Sequence, residues 1–163
     1  MASPPERRYE GAMEPSGCGC PPTAAVASGP GRVHHVFINV RHLARSRDFY
    51  AWLMPQLGYE GSWDFGDTGS AGYLSPAGSF WLKQQDERFT GDAFHKDRVG
   101  LCEIAFAAAS RADVDALASA LVARGVTILD PPREYPEYVR GYYAVFFADP
   151  DGLKLEYVHI PGA

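Results

Sequence analysis

The chain has 163 residues, of which 46% are hydrophobic and 13% aromatic, and a formal net charge of -5. That length and apolar content suffice for one domain with a core of its own. A negative balance with no basic run or stripe excludes a phosphate-neutralising nucleic-acid surface, and no apolar stretch approaches the roughly 18 residues of a membrane span.

The N-terminal "MASPPERRYEGAMEPSG" lacks the apolar centre of a secretory signal, so the expected location is cytoplasmic. Residues 1–31 are rich in Pro, Gly, Ser and Ala without periodicity and read as a disordered tail. Three cysteines, an odd count, do not describe a disulfide framework. Cys18 and Cys20 fall in the tail, and Cys102 reads as a small core residue.

The ordered domain is expected over 32–163. "VHHVFINV" alternates, with Val36, Ile38 and Val40 on one side and His35, Phe37 and Asn39 on the other. In "LARSRDFYAWLMPQLGY", Leu43, Phe49, Tyr50, Leu53 and Leu57 recur at helical spacing, and Pro55 followed by Gly58 ends the element. Strands follow near 59–65, 71–75 and 79–85, separated by turn residues. The order then repeats. "VGLCEIAFAA" is a strand. "SRADVDALASALVARG" is a helix with a capping box at Ser110 and Asp113, an apolar stripe of Val114, Leu117, Leu121 and Val122, and a stop at Gly125. "VTILDPP" is a strand, and "GYYAVFFADPDGLKLEYVHI" is two strands joined by an Asp-Pro-Asp-Gly turn.

The chain thus reads as βαβββ twice, in modules 33–88 and 98–160. The expected fold is α+β, two βαβββ modules forming a curved eight-stranded mixed sheet with a central cleft and helices outside. Aromatic residues are numerous along it. Phe37, Asn39, Trp81 and Tyr143 are the expected substrate-binding residues, and "PPREYPEYVRGYY" is placed where a lid would close over the cleft.

The pieces "HHVFINVRHLARSRDFY", "EIAFAAASRADVDAL" and "GYYAVFFADPDGLKLEYVH", in that order, resemble the vicinal oxygen chelate superfamily of glyoxalases, bleomycin- and fosfomycin-resistance proteins and extradiol dioxygenases. Within that superfamily the pieces are similar to an uncharacterised glyoxalase-like branch. The resemblance implies a metal in the cleft. Its first-strand ligand matches His35 and its last-strand glutamate matches Glu156. The position usually held by a second histidine is Glu103, and a fourth ligand position falls on Trp81 or Leu82, neither of which binds metal.

An isolated buried carboxylate is costly, and two that face each other repel unless a proton or cation lies between them. A divalent cation, Fe, Mn, Zn or Ni, held by His35, Glu103 and Glu156 answers both demands. It would act on a small molecule chelated through adjacent oxygens, as a lyase, isomerase or dioxygenase, with Glu103 or Glu156 as general base. The alternative is a metal-free protein of the bleomycin-resistance type that sequesters an aromatic or cationic small molecule. The resemblance also implies a homodimer.

Overall fold

The structure, a computed structural model, describes residues 31, 33–65 and 69–162. The tail, apart from Gly31, lies outside the described residues, as do Cys18 and Cys20. The first module comprises β1 (His35–Val40), α1 (Leu43–Gln56), β2 (Gly61–Phe65), β3 (Ser70–Ser75) and β4 (Gly78–Gln84). The second comprises β5 (Glu103–Ala107), α2 (Arg111–Ala123), β6 (Ile128–Glu134), β7 (Tyr143–Ala148) and β8 (Lys154–His159). The eight expected strands are hydrogen-bonded as two four-stranded sheets of matching order, β1-β4-β3-β2 and β5-β8-β7-β6. In each, the first and last strands of the module pair in parallel, and the remaining pairs are antiparallel.

Side-chain alternation decides what each sheet face does. Val36, Ile38 and Val40 turn toward a core that also holds Phe49, Tyr50 and Leu53 of α1, Phe80 and Leu82 of β4, Leu117 and Leu121 of α2, and Leu155 of β8. One apolar cluster therefore unites both modules on the helix-covered faces. Burial of this kind stabilises by about 25 cal/mol per Å² of apolar surface. His35, Phe37 and Asn39, of opposite parity, are exposed on the helix-free face of the first sheet.

The local signals act as their chemistry requires. Ser110 Oγ accepts from the Asp113 backbone N–H at 3.2 Å. The Asp113 carboxylate accepts a hydrogen bond from the Ser110 hydroxyl at 2.7 Å, where a full capping box would accept from the Ser110 backbone N–H. Gly125, at φ +72°, stops the helix. Val122 departs from the expected stripe: it is 64% exposed, at the margin of the buried arc. Cys102 is exposed and precedes β5, so it is not a core residue.

The strand at "VTILDPP" runs on to Glu134 and includes Pro131 and Pro132. Two conditions permit this. β6 is an edge strand, and its pairing with β7 shifts register between Ile128 and Asp130 and again between Asp130 and Arg133, so the missing proline N–H groups break no regular ladder.

Candidate functional site: the helix-free faces

On the first sheet, Phe37 pairs in register with Trp81. Their rings stack at 6.0 Å and 20°. Trp63 joins at 6.3 Å. The Trp81 ring lies over Gly72, its cross-strand partner, where a Cβ would come within 2.4 Å of it. Trp81 Nε1 donates to Ser79 Oγ at 2.8 Å. His35 Nδ1 sits 3.1 Å from His34 Nδ1. Phe37, Asn39 and Trp81 thus share one face with His35, as expected.

Tyr143 does not belong with them. Its side chain packs on the helix-covered side, where its hydroxyl donates to Asp115 Oδ1 of α2 at 2.7 Å and Arg111 lies 5.1 Å over its ring.

The second sheet carries the acids. Parallel pairing puts Glu103 opposite Lys154 and Ala105 opposite Glu156, so Glu103, Lys154 and Glu156 share the helix-free face. Lys154 Nζ lies 2.6 Å from Glu103 Oε2 and 4.2 Å over the Phe146 ring. Glu156 is 2% exposed, and its Oε1 accepts a short hydrogen bond from the Tyr142 hydroxyl. Burial pushes the Glu156 carboxyl above its ordinary pKa. The Tyr142 hydrogen bond pulls it back, the Glu103 charge raises it, and Lys154 lowers it. The Tyr142 hydroxyl is pushed up by burial and by its bond to Glu156, and stays a donor.

Above Glu156 lies a tyrosine cluster from the segment expected to form a lid. Tyr135 and Tyr138 stack at 5.6 Å and 6°, and Tyr142 meets both edge-on, at 6.1 and 5.3 Å. With Phe146, Ala144 and Val158, this makes a second, smaller apolar cluster on the helix-free side. An open cavity of about 470 Å³ lies beside it, reaching Phe94 and Lys96 of the linker between modules.

Matching register positions compares the modules directly. His35 and Glu103 each open a first strand, and the residue two places on pairs with Trp81 in β4 and with Glu156 in β8. The fourth ligand position implied by the resemblance is therefore Trp81, while Leu82 is fully buried in the core.

As arranged, these side chains do not fit a divalent ion. Of the four positions one is an indole, one acid is neutralised by a lysine, and the other is held by a tyrosine. Among the described residues no group of three or more His, Cys, Asp or Glu is gathered to hold one metal, so His35, Glu103 and Glu156 are not drawn into a single set. Sequence reasoning missed Lys154. The signal was present, since in "LKLEY" a lysine precedes the acid by two positions and so shares its strand face.

Known proteins place this architecture. A protein from Bacillus halodurans described as a candidate glyoxalase is 37% identical, superposes with a TM-score of 0.69, and covers 80% of this chain and 97% of its own. A glyoxalase/bleomycin resistance protein from Albidiferax ferrireducens T118 is 28% identical, with a TM-score of 0.64 over 78% of this chain and 98% of its own. The Bacillus subtilis (strain 168) protein YqjT is 35% identical over 128 residues, 77% of this chain and 97% of that protein. The family model that matches spans residues 32–157, both modules together. With the paired βαβββ sheets, that match makes the chain a member of the glyoxalase/bleomycin resistance protein/dioxygenase superfamily.

Proposed function

We propose that this chain is a metal-independent member of its superfamily that binds a small organic molecule on the helix-free face of the second module. The observation that carries this reading is the Lys154–Glu103 ion pair at 2.6 Å. Two carboxyls on one sheet face call for a positive charge between them. Here β8 supplies it as a covalently tethered ammonium two residues from Glu156, and an incoming divalent ion would have to displace it.

Glu156 is engaged as well. Its hydrogen bond from Tyr142 and its 2% exposure leave it as a buried acceptor that holds the tyrosine cluster in place. This supports binding in preference to metal-assisted lyase or dioxygenase chemistry, in which Glu103 or Glu156 would ligate or act as base.

The test is elemental analysis of the full chain purified without added metal. The expected result is no stoichiometric Fe, Mn, Zn or Ni. About one ion per chain, lost in both His35→Ala and Glu156→Gln, would overturn the reading. The homodimer implied by the resemblance is checked by light scattering, which should read about twice the chain's 17.8 kDa. A monomer's mass would remove it.

A further inference from the structure

The helix-free face of the second sheet carries its own tyrosine cluster. That of the first sheet is open. Phe37 is 50% exposed, and Trp63 and Trp81 beside it are only partly buried. Cross-strand register lines the three rings up from β1 through β4 to β2, passing over Gly72 of β3. Phe37 and Trp81 are 20° from parallel at 6.0 Å, and Trp63 is tilted 42° from Trp81 at 6.3 Å. An aromatic row with one side in solvent is the lining on which proline-rich segments in the polyproline II conformation dock.

The chain carries such a segment next to this face. Residues 1–30 lie outside the described residues and outside the 32–157 span that matches the superfamily. They contain two Pro-Pro pairs, Pro4-Pro5 and Pro21-Pro22. The pairs differ in charge. No charged residue stands between Ser16 and Gly31, whereas Pro5 is followed directly by Glu6, Arg7 and Arg8, whose desolvation on an apolar row is costly.

They differ in reach as well. Pro22 and Val33 are 11 positions apart, joined through the small-residue stretch "TAAVASGP", which gives an r.m.s. span of about 18 Å. Phe37 lies four residues beyond Val33, about 13 Å along β1. The effective concentration of a tethered segment is greatest where span and distance match in this way, in roughly the millimolar range. For Pro5, 28 positions from Val33, it falls to about a quarter of that. Gly31, in a turn at φ +79°, adopts a left-handed backbone that lets the chain reverse just before β1. A second copy of the chain at micromolar concentration is outcompeted by such a tether.

We propose that the Pro21-Pro22 segment of this chain covers the Phe37–Trp81–Trp63 row intramolecularly. The inference goes beyond the metal-independent reading, which concerns the other sheet, and the failure of either leaves the other standing.

Nitrogen-15 NMR of the full chain tests it through the three tryptophan indole N–H signals. Pro21→Ser/Pro22→Ser should shift the signals of Trp63 and Trp81 and leave that of Trp52, which lies on α1 against Arg124, in place. Pro4→Ser/Pro5→Ser should leave all three in place. Phe37 is half exposed, and circular dichroism verifies that Phe37→Ala is folded. In that background Pro21→Ser/Pro22→Ser should move Trp63 and Trp81 much less than in the wild type, because the two changes remove the same contact. Unmoved Trp63 and Trp81 signals in Pro21→Ser/Pro22→Ser, equal shifts in Pro4→Ser/Pro5→Ser, or undiminished shifts in the Phe37→Ala background would overturn the proposal. The wild-type signals should also hold their positions on dilution by about tenfold. Movement toward the Pro21→Ser/Pro22→Ser positions would mean that a second copy supplies the segment, and would overturn intramolecular docking.

Discussion

Asp151, in the turn between β7 and β8, accepts the backbone N–H of Arg41 at 2.7 Å across 110 residues of sequence. Its carboxylate also takes Arg41 Nε at 3.2 Å and pairs with Arg45, while Asp149 of the same turn accepts from the Tyr50 hydroxyl at 3.0 Å. The Asp-Pro-Asp-Gly turn is therefore a clasp from the second module onto the start of α1. It works together with the shared apolar core to set the position of the second sheet's acids relative to the first sheet.

Removing the clasp should loosen the modules. Asp151→Ala leaves the Arg41 N–H and two guanidinium groups without their carboxylate, and hydrogen bonds to a charged group are worth about 1.5–3 kcal/mol each. Because both arginines are partly solvated, the expected loss is about 2 kcal/mol, read by urea unfolding. An unchanged midpoint would mean that the core alone docks the modules.

Gly72 is needed for the aromatic platform of the first sheet. A Cβ there would sit 2.4 Å from the Trp81 ring, so Gly72→Ala must push the indole off its stack with Phe37. Overpacking of this kind costs about 1–3 kcal/mol. Tryptophan fluorescence should shift in the variant, and the Trp81 Nε1 bond to Ser79 should weaken. An unshifted spectrum with full stability would contradict the account.

The pH dependence follows from Glu156. Its pKa in the folded chain is raised, chiefly by burial, so the native state takes up a proton more readily than the unfolded chain. Its contribution to stability is present in full below the ordinary glutamate value and is lost as pH rises through the raised folded value. Asp149, also raised by burial, acts in the same direction. Tyr142→Phe removes the bond that holds the Glu156 pKa down, so the pKa should climb further. The variant should lose about 1–3 kcal/mol near neutral pH and less in mild acid. Carbon-13 NMR titration of the glutamate carboxyls reads the shift, and a fall in the Glu156 pKa would be inconsistent with it.

Much of the fold was legible because its signals are short-range. The period of two in "VHHVFINV" placed His35, Phe37 and Asn39 on the open face, and Ser110, Asp113 and Gly125 bounded α2. What escaped depended on register and side-chain partners. Tyr143 looked like a pocket residue until its pairing with His159 and its bond to Asp115 put it on the helix side. The period of two put Glu103 and Glu156 on one face, but it could not set Lys154 beside Glu103, because that neighbour is fixed only by the parallel register of β5 with β8.

The central claim is that Lys154 holds the position of a metal. It is tested most directly by titrating chelator-treated protein with Ni²⁺ and Mn²⁺, comparing wild type with Lys154→Gln. The account predicts no saturable one-to-one binding in the wild type that depends on Glu103 or Glu156. Tight one-to-one binding in the wild type, abolished by Glu156→Gln and indifferent to Lys154→Gln, would contradict it.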